Sequence, residues 1–205
     1  PQVLQSLAHP NIVTCTESFI AGGKLCIVMD FCENGDLYGF LKKRNGKLLE
    51  EDKLLDLFVQ ICLSMKHVHD RKILHRDLKT QNIFMSSGGI LKLGDFGVAK
   101  VLSGTDALAA TAVGTPYYLS PEICQNKKYN AKSDIWSLGC VLYEMTTLKH
   151  AFDANSLQLL IQKIIRGSFP PPPSTYSSGL RALITKMIST DPKKRPTINE
   201  ILHEP

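Results

Sequence analysis

The sequence predicts an α+β fold that is mainly helical, with a few strands in its first half. Three observations lead to this prediction: short apolar runs near the front, a long amphipathic segment at residues 51–69, and a segment at residues 134–145 that is apolar on almost every side. The length of 205 residues and the hydrophobic content of 43% are those of a globular chain that can bury a sizeable core.

Three short apolar runs predict the strands. LCIVMDF, residues 25–31, ends at polar CENGD, as a buried strand that leads into a turn does. IFM (83–85) and ILKL (90–93) are separated by SSGG, which is typical of a hairpin turn. This hairpin would place the loop before residue 83 beside the loop after residue 93.

The helices are predicted from periodicity. Between residues 51 and 69 apolar residues recur at steps of three and four, and Glu50, Glu51 and Asp52 stand where a helix N-terminus favours negative charge. The residues that define the predicted buried face are Leu54, Leu55, Phe58, Ile61, Cys62, Met65 and Val68. Residues 134–145 predict a helix that is buried all round. Shorter helices are predicted at 156–166, 178–189 and 197–203.

Composition and charge argue against several classes of protein. The formal net charge is +5, but the lysines and arginines are scattered, which disfavours nucleic-acid binding. The six cysteines form no C-x-x-C pair and mostly lie in apolar runs, which favours reduced thiols in the cytosol or nucleus. With no hydrophobic leader region and no apolar run of membrane length after Pro1, we expect neither a signal peptide nor an anchor.

One stretch, ILHRDLKTQNIF at residues 73–84, places a histidine, an arginine, an aspartate, a lysine and an asparagine within ten residues, with aliphatic residues on both sides. Buried charge is expensive, so a functional reason is expected. Because the predicted hairpin begins after Asn82 and ends before GDFG (94–97), the side chains of Asp77, Asn82 and Asp95 should converge on one point.

The residue types at this point indicate phosphoryl transfer. Asn82 and Asp95 offer oxygen ligands that suit Mg²⁺, a hard cation that keeps waters and shares itself with phosphates, better than zinc. Asp77 could accept the proton of an attacking hydroxyl, and Lys79 would place a positive charge beside the moving phosphoryl group.

These residues resemble the protein kinase family. Its H-R-D-L-x-x-x-N loop is matched by HRDLKTQN (75–82) and its D-F-G element by residues 95–97. Ser120-Pro121-Glu122 stands for A-P-E, with serine in place of alanine, and the resemblance pairs Glu122 with Arg195 in the interior. HRDLK is similar to the serine/threonine group, and VGTPYYLSPEICQN, KSDIWSLGCVLYEMTTLKHAF and DPKKRPTINEIL resemble the NIMA-related kinases.

The resemblance implies a protein kinase-like fold with two parts. Residues 1–32 would be the remnant of the small lobe, with the end of helix C, strands 4 and 5 and the hinge, and residues 33–205 would be the large lobe. The glycine-rich loop, the third-strand lysine and the helix C glutamate would then precede Pro1 in a longer protein. We therefore expect the isolated chain to be weakly active or inactive and the longer protein to be fully active.

The resemblance also assigns residues to the nucleotide. Met29 would be the gatekeeper, Asp30 and Cys32 would belong to the hinge whose backbone meets adenine, Asp36 would reach the ribose, and Phe84 would floor the base. ATP and Mg²⁺ are the implied cofactors. The implied catalytic group is Asp77, Lys79, Asn82, Asp95 and Thr115, of which Thr115 would hydrogen-bond Asp77 and Lys79.

Regulation and setting are implied in the same way. A phosphate on Thr111 could be bridged by Arg76 and Lys100, and Thr105 is a competing acceptor. Protein substrates with serine or threonine acceptors are expected, without nucleic acid or membrane, and the oligomeric state is left open. The expected location is cytoplasmic, with nuclear, centrosomal and ciliary settings as alternatives.

Two alternatives to an enzyme are open to test. A pseudokinase or scaffold would keep the fold and bind partners, but it would not need the polar and charged groups at positions 77, 79, 82 and 95, which are all intact. An inert helical interaction module would have to match the kinase motifs by chance.

Overall fold

The structure, a computed structural model, describes residues 7–95 and 116–205. The first of its two antiparallel hairpins pairs β1 (Cys15–Ala21) with β2 (Lys24–Met29), through Gly22 and Gly23, which both have positive φ. β2 confirms a strand within residues 25–31, but the expectation that it is buried is wrong. Leu25, Val28 and Met29 are 54%, 44% and 49% exposed, because β1 and β2 form a two-stranded sheet whose faces are largely open to solvent. β1 is expected only from the family resemblance, which implies two strands within residues 1–32. Its own sequence, CTESFIA, does not predict it, because polar and apolar residues are mixed and both faces of the strand are largely exposed. Residues 7–13 are not helical, although the family resemblance places the end of a helix there.

The second hairpin confirms the predicted pairing of the two central strands. β3 (Ile83–Met85) pairs with β4 (Leu91–Leu93), with Phe84 opposite Lys92. A turn with two consecutive glycines of positive φ joins them, as the SSGG pattern predicts. The Gly94 N–H donates to the carbonyl of Asn82 at 2.9 Å and continues the ladder one residue beyond the strands. Asn82 and Asp95 therefore lie at the same end of the hairpin.

The described residues contain seven α-helices. They are α1 (Leu37–Lys43), α2 (Glu51–Asp70), α3 (Pro121–Cys124), α4 (Ala131–Thr147), α5 (Leu157–Arg166), α6 (Ser178–Met187) and α7 (Ile198–Leu202). The helices predicted from periodicity are confirmed and differ only at their ends. α1 and α3, of 7 and 4 residues, are not among the helices predicted from the sequence.

The buried face of α2 differs from the prediction at one position. Leu55 is 40% exposed, whereas Leu57 is 1% exposed and takes its place in the core. At 100° per residue, Leu55 lies about 100° from Leu54, while Leu57 lies about 60° from it on the other side. Leu55, although adjacent in sequence to Leu54, therefore points away from the face that the helix buries.

α4 is a helix that is buried on all sides over most of its length, as predicted. Every residue from position 133 to 146 is buried. Asn130 and Ser133 form a reciprocal capping box at its N-terminus. Gly139 permits close packing against α6, because a Cβ there would lie 2.8 Å from Cβ of Met187. The helix thus provides a rigid support on which other segments can be anchored.

The ion pair predicted between Glu122 and Arg195 is present and buried. The guanidinium makes two parallel hydrogen bonds to the carboxylate, of 2.7 and 2.8 Å, and its side chain is 0% exposed. Ser133 also donates to Glu122 at 2.7 Å, and the guanidinium lies 5.0 Å from the ring centroid of Trp136. This pair ties the segment that begins α3 to the loop before α7.

The structure bears on the expectations about membrane-spanning helices and about the cysteines. None of the helices in the described ranges has the length and apolar character needed to cross a bilayer. All six cysteines are described, and none forms a disulfide. The division of the chain into two parts at residue 32 stays a prediction.

Candidate active site

The loop at residues 75–82, the catalytic loop of the sequence analysis, is anchored to α4 through one carboxylate. The backbone N–H groups of His75 and Arg76 donate to Asp134 at 3.1 and 3.0 Å, and His69 Nε2 lies 2.8 Å from the same side chain. Burial raises the pKa of Asp134, but the hydrogen bonds from His69 and Tyr129 help to outweigh this effect, so the net pKa is lowered. Arg76 adopts φ of +69°, a strained conformation that these bonds hold in place.

His75 connects this loop to the end of the β3–β4 hairpin. Its Nδ1 accepts from the N–H of Asp77 at 3.3 Å, so Nε2 carries the proton and donates to the carbonyl of Gly94 at 3.1 Å. Burial lowers its pKa, which favours this neutral form. Gly94, which precedes Asp95, is thereby linked to His75, which precedes Arg76.

The carboxylate of Asp77 is the centre of the site. Its Oδ2 accepts from Lys79 Nζ at 2.9 Å and from Asn82 Nδ2 at 3.1 Å. The side chains of Asp77 and Lys79 are 31% and 33% exposed, so a substrate can reach them from solvent. The structure therefore brings together three of the residues that the sequence analysis selects.

Asn82 is oriented in a way that fits a cation. Both hydrogens of its amide are directed at Asp77, one to the carboxylate and one to the backbone carbonyl at 2.8 Å, which leaves Oδ1 as the group available for a ligand. Asp95, at the same end of the hairpin, is exposed and adopts φ of +50°. Two oxygen ligands suit a Mg²⁺ that also binds phosphates.

A metal site of another kind is not supported. The parts of the chain that the structure describes hold no group of three or more His, Cys, Asp or Glu side chains arranged around a metal. A zinc site made wholly of protein ligands would need such a group.

The residues assigned to the hinge have structural partners of their own. Asp30 accepts from Lys92 Nζ at 2.7 Å and from the N–H of Thr14 at 3.0 Å, and its pKa is lowered mainly by the hydrogen bond from Lys92. Its side chain thus ties the hinge to β4, while its backbone N–H donates to the carbonyl of Thr14 at 3.0 Å. Met29 is 49% exposed at the end of β2, and Cys32 is half-buried.

Asp36 caps the first turn of α1. Its Oδ1 accepts from the N–H of Gly39 at 2.7 Å, so a contact with a ribose would fall to Oδ2. Asp36 also forms an isolated bridge with Phe84. The residue assigned to the ribose and the one assigned to the base therefore lie side by side.

Gly94 is required by its close approach to Phe84. A Cβ at this position would lie 2.6 Å from Cε2 of Phe84 and 3.1 Å from Cγ2 of Val13, so the ring would have to move. We expect Gly94→Ala to raise the KM for ATP about tenfold by displacing the proposed floor of the base, as measured by steady-state kinetics on the full-length protein.

Gly179→Ala is the matched control for this prediction. A Cβ there would lie 3.9 Å from Ser177 Oγ, an ordinary contact in α6. Its KM for ATP should equal that of the unmodified protein. Equal KM values for both alanine variants would show that the position of Phe84 does not influence nucleotide binding.

Several predicted residues lie outside the described residues. These are Thr115 of the catalytic group and Lys100, Thr105 and Thr111 of the regulatory group, together with Phe96 and Gly97 of the D-F-G element. Arg76, the other predicted regulatory cation, is described and exposed.

Two polar side chains that form buried or partly buried contacts near the site are not predicted from the sequence. Lys92 pairs with Asp30, and Glu144 lies 3% exposed within α4. A signal for Glu144 was available, because a carboxylate inside an otherwise apolar helix must have a partner. No such signal marks Lys92, since a strand in which apolar and polar residues alternate commonly carries a lysine on its outer face.

Comparison with known proteins agrees with this geometry. The family model for the protein kinase domain matches residues 1–205. The chain belongs to the protein kinase family. The fold class predicted from the sequence is thus confirmed, and protein kinases in general use ATP and Mg²⁺.

Individual relatives narrow the family further. The chain is 58% identical over 202 residues to serine/threonine-protein kinase Nek1 of Mus musculus, covering 98% of this chain and 17% of that protein. It is 54% identical to serine/threonine-protein kinase Nek5 of Homo sapiens, covering 99% of this chain and 29% of the relative. Nek4 of Mus musculus is 51% identical, with 100% of this chain and 26% of that kinase covered. The predicted membership of the NIMA-related kinases is confirmed.

Proposed function

We propose that the protein is a magnesium-dependent serine/threonine protein kinase, which transfers the γ-phosphoryl group of ATP to serine or threonine hydroxyls of other proteins. The observation that supports this most directly is the contact of Asp77 with both Lys79 and Asn82, at 2.9 and 3.1 Å. The chain spans 17–29% of the length of three relatives that it matches, so the activity proposed is that of the whole protein.

The chemistry follows from the groups around Asp77. The oxygen of an acceptor hydroxyl forms a bond to the γ-phosphorus while the bond from that phosphorus to the oxygen of the departing ADP breaks. Asp77 accepts the proton that the hydroxyl loses, and Lys79 offsets the charge that develops on the phosphoryl oxygens. Mg²⁺, when bound, would neutralise phosphate charge, and Asn82 Oδ1 and the carboxylate of Asp95 are the groups proposed to hold it.

The nucleotide contacts are part of the same proposal. The backbone of the hinge at Asp30 and Cys32 would meet the adenine, with Met29 as gatekeeper, Asp36 at the ribose and Phe84 under the base. The hydrogen bond from Lys92 of β4 to Asp30 supports this assignment, because it holds the hinge beside the hairpin that carries Phe84.

The regulatory residues also stay a proposal. Phosphate on Thr111 would be bridged by Arg76 and Lys100, and Thr115 would help to position the acceptor hydroxyl. The exposed side chain of Arg76, on a backbone held by Asp134, supports its part in this scheme. The cytoplasmic location and the absence of nucleic-acid and membrane partners stay predictions.

A labelled-phosphate assay on the full-length protein tests the proposal. With γ-labelled ATP, Mg²⁺ and a protein substrate, we expect label on serine or threonine, and chelation of Mg²⁺ with EDTA should abolish transfer. The 205-residue chain assayed alone is expected to transfer little or no label. Binding of partners by a full-length protein that transfers no phosphate would favour a pseudokinase or scaffold.

A further inference from the structure

A buried polar network connects the catalytic loop to α4. Its members are Thr80, Tyr118, Glu144 and His150, which come from the catalytic loop, the segment before α3, α4 and the segment after α4. Thr80 is 0% exposed, Tyr118 8% and Glu144 3%. None of these residues is among those assigned to catalysis, nucleotide or metal above.

The direction of the hydrogen bonds in this network can be deduced. Tyr118 donates its only proton to Glu144 Oε2 in a very short hydrogen bond. Burial raises the pKa of Tyr118, and the charge of Glu144 raises it further, so the phenol keeps that proton. Thr80 must therefore be the donor in its 2.9 Å contact with the Tyr118 oxygen, and it also lies 3.3 Å from Glu144 Oε2. The bonds run from Thr80 through Tyr118 to a buried carboxylate.

His150 lies near the same oxygen of this carboxylate. Its Nδ1 lies 3.6 Å from Glu144 Oε2, and its ring stacks on Tyr117 with centroids 4.0 Å apart. The same ring meets Tyr118 edge to face at 5.7 Å. Glu144 lies in the buried part of α4, residues 133–146, so its carboxylate is held in a fixed position within the network.

Thr80 occupies a sensitive place in the chain. It directly follows Lys79 and begins the short 3₁₀ turn Thr80–Asn82, so a shift at Thr80 moves both residues that contact Asp77. We propose that Thr80 is a positioning residue of the phosphoryl-transfer site, which acts through Tyr118 and Glu144 to hold Lys79 and Asn82 against Asp77. This inference rests on the proposed function.

Isosteric substitution separates the hydroxyl from the shape of the side chain. Thr80→Val keeps the β-branched form but leaves the Tyr118 oxygen without its donor, whereas Thr80→Ser keeps the hydroxyl. In the full-length protein we expect Thr80→Val to lower kcat about tenfold with KM for ATP changed less than about twofold, since displacement of catalytic groups acts on the chemical step. Thr80→Ser should retain at least about half of kcat.

Thr146→Val is the matched control. Thr146 is also 0% exposed, and its hydroxyl donates to the carbonyl of Tyr143 at 2.8 Å, but it does not join the network. The Thr146→Val variant should lose about as much thermal stability as Thr80→Val, but its kcat should equal that of the unmodified protein. A parallel fall of kcat in both valine variants, or equal kcat in Thr80→Val and Thr80→Ser, would overturn the proposal.

A second substitution keeps the test decisive if Thr80→Val does not fold. Tyr118→Phe removes the middle of the hydrogen-bonded chain and should lower kcat by a similar factor, again with little change in KM for ATP. An unchanged kcat in Tyr118→Phe would overturn the positioning role while the unmodified protein remained active. Failure of the unmodified protein to transfer phosphate would instead contradict the proposed function itself.

Discussion

Asp77→Asn in the full-length protein is expected to lower kcat for phosphate transfer about 10³-fold, because it removes the group that accepts the proton of the acceptor hydroxyl. The amide oxygen can still accept the hydrogen bonds from Lys79 and Asn82, so the loop should keep its shape. Steady-state transfer from γ-labelled ATP measures the effect, and circular dichroism checks that the fold is retained.

The control for this prediction is Asp70→Asn. Asp70 also pairs with a lysine, Lys66, at 2.6 Å, but it is 48% exposed and lies at the end of α2. Its kcat should match that of the unmodified protein, since an exposed pair contributes little. If Asp77→Asn labelled the substrate as fast as Asp70→Asn, Asp77 would not be the base.

Arg195→Met is expected to reduce the free energy of unfolding by about 3–5 kcal/mol, because it leaves the carboxylate of Glu122 buried without its partner. The pair is bidentate, and Glu122 is 6% exposed. Lys186→Met is the control, since Lys186 pairs with Glu204 at 2.7 Å while 54% exposed, and its loss should be below about 1 kcal/mol. Urea denaturation measures both, and equal losses would contradict the prediction.

The effect of Arg195→Met should depend on pH. Burial raises the pKa of Glu122. The hydrogen bonds from Arg195 and Ser133 help to outweigh this effect, so the net pKa is lowered from its ordinary value of 4.5. A carboxyl with a lowered pKa in the folded state contributes stability that is present above the unfolded pKa and is lost as the pH falls below it. The difference between Arg195→Met and the unmodified protein should therefore narrow as the pH falls below 4.5.

The pairing that defines the site follows from local features of the sequence. SSGG between two short apolar runs predicts a hairpin, and a hairpin brings Asn82 and Asp95 to one end whatever else the chain does. The central helix α4 is likewise predictable, because twelve residues that are apolar on nearly every side can only be stable when surrounded by protein.

Other features depend on which segments of the folded chain become neighbours. Leu55 and Leu57 have the same side chain, and only the direction from which the core meets α2 makes one exposed and the other buried. Lys92 and Asp30 are 62 residues apart, and Thr80 and Glu144 are 64 apart. No periodicity links such positions, since each contact forms only after several elements have packed.

The amino-acid order was therefore sufficient for the five helices other than α1 and α3, the hairpin of β3 and β4 and the identity of the groups that contact Asp77, because these depend on repeat periods, turn chemistry and short spacings. The folded arrangement was needed to show how those groups are held: the anchoring of the catalytic loop by Asp134, the tie between the hinge and β4, and the network behind Thr80. The physical reason is that a buried polar group must find a partner, and packing determines which of many distant partners it meets.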